Sequence, residues 1–106
     1  MHTFACPHIE IPVFAEVDVL VVGGSTGAVT TALAAAAAGR RCLTITDLSY
    51  FGTEAAGTLQ LWPGSLDRTD PLVAAMYPDA ATPTRPATIK RVLETALVEA
   101  GVDFLY

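Results

Sequence analysis

The chain has 106 residues, 52% of them apolar and 16% charged, with a formal net charge of −5. That composition excludes a disordered polar segment and fits one small globular domain. Only six Lys and Arg are present, without a basic or aromatic stripe, which argues against binding a nucleic-acid backbone.

Residues 1–16 contain Pro7 and Pro12 and read as an extended arm. His2, Cys6 and His8 stand close together in it. A fourth ligand is missing and Pro7 separates Cys6 from His8, so no metal site is expected. Two cysteines, Cys6 and Cys42, are too few for a disulfide scaffold. Glu10, Glu16 and Asp18 precede the first apolar run with no Lys or Arg among them, unlike a signal-peptide n-region.

Val19–Val22 is apolar and rich in β-branched residues, which predicts a parallel strand buried on both faces. It runs into Gly23-Gly24-Ser25-Thr26-Gly27-Ala28 and then into an alanine-dominated helix, Thr26–Ala38. Gly39 stands where a C-cap glycine belongs, with Arg40 and Arg41 to complement the negative end of the helix dipole. Val19 to Gly39 holds no charged residue, yet its glycines and hydroxyl residues make it too weakly hydrophobic for a membrane span. With neither leader nor span, a cytoplasmic location is expected. Cys42–Thr46 predicts a second strand, with Cys42 packed as a small hydrophobe, and Asp47 ends it.

Strand, glycine turn, helix, strand and acid come in the order of a dinucleotide-binding unit. The first N–H groups of a helix lack intrahelical partners, and the dipole adds positive potential there, so a pyrophosphate receives both. In the Gly-x-Gly-x-x-Gly frame Gly23 is the first glycine, Ser25 replaces the second and Ala28 the third. Ala28 still allows close helix–strand packing, whereas Ser25 pushes the ligand off slightly or donates a hydrogen bond to it. Asp47 lies somewhat beyond the roughly 20 positions expected for the ribose-binding acid. A turn residue is its competing reading.

Leu48–Thr58, glycine-bearing and rich in small residues, reads as a loop, followed by an exposed turn at Trp62-Pro63-Gly64. Pro71, Pro78, Pro83 and Pro86 punctuate the next stretch, with a short helix at Leu72–Met76. A helix over Pro86–Ala100 follows, with Ile89, Val92, Leu93, Ala96, Leu97 and Ala100 on one apolar face. Gly101 ends it and Val102–Tyr106 predicts a third strand. The fold class is therefore α/β: a partial doubly wound, Rossmann-like parallel sheet, β-α-β-loop-α-β, with three strands and two main helices over residues 17–106. Half a doubly wound sheet implies the N-terminal part of a longer protein, with self-association through exposed sheet or helix faces.

Asp18–Ala28 together with Ala32–Gly39 resembles the N-terminal FAD-binding segment of the FAD-dependent oxidoreductases, closest to members with a serine or threonine at the second glycine. Tyr50-Phe51-Gly52-Thr53-Glu54 is similar to that family's loop after the second strand, where Thr53 replaces the second of a usual glycine pair. Ala87–Leu93 and Ala100–Phe104 resemble its next helix and strand. The resemblance implies FAD as cofactor, with Gly23, Gly24, Ser25, Thr26, Gly27 and Ala28 around the pyrophosphate and Asp47 on the ribose. It also implies Gly52, Thr53 and Glu54 near the ribityl or pyrophosphate portion. Redox chemistry would belong to the flavin, and no catalytic residue is assigned, since neither His lies in the nucleotide unit. Two alternatives remain open: an NAD-binding dehydrogenase domain, with Asp47 repelling a 2′-phosphate, and a truncated, non-catalytic nucleotide-binding remnant.

Overall fold

The computed structural model describes Thr3 and residues 7–106, so the reading of His2 and Cys6 lies outside the described residues. Residues 7–16 run without helix or strand, exposed throughout. Strands β1 (Val19–Val22), β2 (Cys42–Ile45) and β3 (Asp103–Leu105) form one parallel sheet with β2 in the centre. Val19 pairs with Cys42, and Leu43 with Asp103. This order is the first half of a doubly wound sheet.

Helix α1 (Thr26–Ala37) connects β1 to β2, and α2 (Thr53–Gly57), α3 (Pro71–Met76) and α4 (Pro86–Glu99) lie between β2 and β3. Two of these four helices are short. The stretch expected as loop contains α2, a single turn whose Ala55 and Ala56 are buried. It is too brief to display a helical period. Helix α3 begins with Pro71 at its first turn, behind Asp70, whose side chain accepts from the N–H groups of Leu72 and Val73.

Helix α1 ends in a complete Schellman motif. Gly39 N–H donates to Ala36 O at 2.9 Å and Arg40 N–H to Ala35 O at 3.1 Å. The two arginines lie beyond the last turn, contrary to their expected role at the dipole. Arg41 instead meets Asp18, with its N–H 2.8 Å and its Nε 3.9 Å from Oδ2. An acid just before β1 and a base just before β2 are brought together by parallel pairing.

The core lies between the sheet and the helices. Val21 and Cys42 meet Val29 and Ala32 of α1, and Ile89, Leu93 and Leu97 of α4 are fully buried behind them. Ala100, expected on the same apolar face, is exposed because it is the C-cap. Phe51, Phe104 and Tyr106 close one edge, with Phe51 and Phe104 edge to face at 5.4 Å.

β1 is not buried on both faces. Side chains alternate across a strand, and the helices cover the side of Val21, leaving Leu20 at 55% and Val22 at 74% exposed on the other. Among the described residues, no helix is long and apolar enough to cross a membrane.

Candidate dinucleotide site

The site begins where β1 stops. Gly23 continues the ladder by donating to Ile45 O at 2.7 Å, then turns the chain with φ +135°, a conformation that L side chains rarely adopt. Gly24 is required for a different reason: a Cβ there would lie 2.5 Å from Thr46 Oγ1. Ser25 is the N-cap of α1, its Oγ accepting from Ala28 N–H at 3.0 Å. The serine that departs from the glycine frame therefore has a structural task, and its hydroxyl proton remains free to donate.

Gly23 and Asp47 line one open cleft of about 500 Å³ with Val22, Ile45 and Thr46. It lies at the carboxyl ends of β1 and β2, where open α/β sheets bind ligands. Asp47 is exposed and its carboxylate takes no hydrogen bond from the described residues. Thr46 was not singled out by the motif. It walls the cleft, packs beneath Gly24 and accepts from Leu48 N–H at 3.3 Å. Only its place at the end of the expected strand, next to Asp47, could have drawn attention to it.

The remaining expected residues gather on the other side of the turn. Gly52 and Thr53 both donate their N–H groups to Gly24 O, at 2.7 and 3.3 Å, so neither is free for a ligand. That contact fixes α2 against the glycine turn. The Glu54 carboxylate then reaches the amino end of α1, with Oε1 2.9 Å and Oε2 3.2 Å from Thr26 N. The Thr26 hydroxyl donates to the same carboxylate. An anion thus already stands on the first N–H of the helix. The N–H groups of Gly24, Ser25 and Gly27 have no protein acceptor among the described residues.

Beside Glu54 a second cleft, of about 390 Å³, opens between α1, α2 and α3, bounded by Thr26, Gly27, Gln60, Asp70 and Tyr77. Burial, together with the negative Glu54, pushes the Tyr77 phenol above its ordinary value of 10.0. The phenol donates to Gln60 O at 2.9 Å.

The residues of the glycine turn and Asp47 thus offer two sets of polar groups. Asp47 lies in an open cleft and is unpaired among the described residues. At the amino end of α1 three N–H groups have no acceptor among the described residues, and a fourth, that of Thr26, is held by Glu54. Comparison with protein-family models, with curated proteins and with solved structures finds no match to this chain.

Proposed function

We propose that this chain forms the FAD-binding part of an FAD-dependent oxidoreductase. The observation that carries the reading is the meeting of Gly23 and an unpaired Asp47 in one cleft at the carboxyl ends of two adjacent parallel strands. Asp47 would accept the ribose hydroxyls, and the N–H groups of Gly24, Ser25 and Gly27 would hold the pyrophosphate. The Ser25 hydroxyl adds a donor at the same turn. When bound, FAD supplies hydride or electron transfer at its flavin ring, while the protein binds and orients it. The reading leaves the flavin-ring pocket, the substrate elements and the catalytic groups to residues outside this chain.

Gly27 supports the assignment. It lies exposed in the first turn of α1, and a Cβ there would touch only Ser25 Oγ at an ordinary 3.6 Å. Packing does not require a glycine at this point, and a glycine weakens a helix. Close approach of a ligand does explain it.

The test follows from that conflict. Gly27→Ala should stabilise the fold by about 0.5 kcal/mol and weaken FAD binding by about tenfold or more, because the methyl stands where the pyrophosphate would approach. Thermal unfolding and titration of flavin fluorescence measure the two effects. A higher Tm with unchanged FAD affinity would remove the pyrophosphate assignment.

One observation favours a second reading, a nucleotide-binding fold that no longer holds a dinucleotide: the carboxylate on Thr26 N. Absence of both FAD and NAD binding by the folded protein, whatever residue stands at position 54, would establish it.

A further inference from the structure

We infer that the Glu54 carboxylate is an internal stand-in for a phosphate, an autoinhibitory contact that a dinucleotide must displace. The inference rests on the FAD-binding reading above. α1 has no acidic residue in its own first turn. The anion it holds comes from α2, where both carboxylate oxygens lie within hydrogen-bond distance of Thr26 N and the Thr26 hydroxyl donates as well. A backbone N–H paired with a hydroxyl of the same residue is the donor set that a phosphate oxygen would use.

The contact is built, not incidental. Ala55 and Ala56 are buried, and Gly52 and Thr53 tie the start of α2 to Gly24 O, so the backbone that carries Glu54 is held in place. The side chain alone is free to leave. Rotation about its own torsions releases Thr26 without moving α2, and the second cleft lies open beside it. A carboxylate and a phosphate cannot share one N–H, since like charges at such separation repel.

The consequence is selectivity. Inorganic phosphate or pyrophosphate can reach the N–H groups of Gly24, Ser25 and Gly27 but not the cleft at Asp47, and those contacts alone leave Glu54 in place. A dinucleotide engages the same N–H groups and Asp47 together, and the surplus at Asp47 drives Glu54 out.

Glu54→Gln keeps the size of the side chain and an oxygen acceptor for Thr26 N–H while removing the charge. The probes are FAD and inorganic pyrophosphate, titrated calorimetrically into both proteins, with circular dichroism to verify folding. FAD affinity should rise by about tenfold in the variant, and pyrophosphate binding should appear only there. Adding FAD to the wild-type protein should shift the amide resonance of Thr26 as its acceptor changes. Should Glu54→Gln fail to fold, Glu54→Asp, one methylene too short to span the same contact, should show the same gain. Equal FAD affinity in variant and wild type overturns the autoinhibitory contact and leaves the FAD reading standing. Weaker affinity in the variant overturns it too, by making Glu54 a support for the ligand. No FAD binding by any folded protein removes both.

Discussion

Thr44 sits in the middle of β2 with its hydroxyl fully buried and without a hydrogen-bond partner among the described residues. Such an oxygen costs stability because it has given up water and received nothing in exchange. Thr44→Val, which replaces the hydroxyl by a methyl of similar size, should therefore stabilise the fold by about 1 kcal/mol and raise Tm by roughly 5 °C. Thermal unfolding decides it, and a lower Tm would show that the hydroxyl has a partner in solution. Ser25, Thr26 and Thr46 carry hydroxyls of the same kind, yet each is engaged at the glycine turn. The motif could flag Gly23, because only glycine suits the sharp turn after a buried strand. It could not reveal that Gly24 is needed to clear Thr46, since that closeness exists only once β1 and β2 pair.

Helices α1 and α4 show how much a single element discloses by itself. Both close on the same device, with Gly39 and Gly101 in the left-handed region and the following N–H groups donated back into the last turn. In α4 the device also buries Val102 against Leu97. Gly39 has open space where a Cβ would go, so Gly39→Ala pays only backbone strain. It should lower stability by about 1 kcal/mol and Tm by a few degrees, measured by denaturant and thermal unfolding. An unchanged Tm would show that the motif frays in solution. These helix ends were legible because capping is local chemistry between residues a few positions apart. Helix α2 was not: one turn of small residues has no period, and its helical form comes from burial of Ala55 and Ala56 and the hold on Gly24 O.

At the scale of the molecule, one side of the sheet carries the helices and the other presents Leu20, Val22 and Leu105 to solvent. Contiguous apolar surface of this kind marks a place that another surface covers. The expected behaviour is concentration-dependent self-association, weakened by Val22→Lys, which sets a charge on the open face at the end of the edge strand β1 without touching the core. Sedimentation velocity over a range of concentrations measures it. A monomer at every concentration, for both proteins, would contradict the expectation. The same one-sided packing corrects the reading of β1 as a strand buried twice over. An apolar run shows that a strand seeks cover, and the number of layers available is a property of the whole chain.

Local sequence signals suffice for the α/β class, the three strands, the two long helices and the glycine turn between β1 and α1. Each rests on propensity, periodicity or capping, which act over a few neighbouring residues. Asp47 was placed at the end of β2 by the same local logic. Which of these residues meet depends on how the elements pack. Parallel pairing of β1 with β2 brings Gly23 and Asp47 into one cleft and turns Arg41 toward Asp18. The docking of α2 on the glycine turn carries Glu54 across 28 positions to the amino end of α1. No local pattern encodes that contact, because its partners become neighbours only when the core that includes Ala55, Ala56 and Leu93 closes around them.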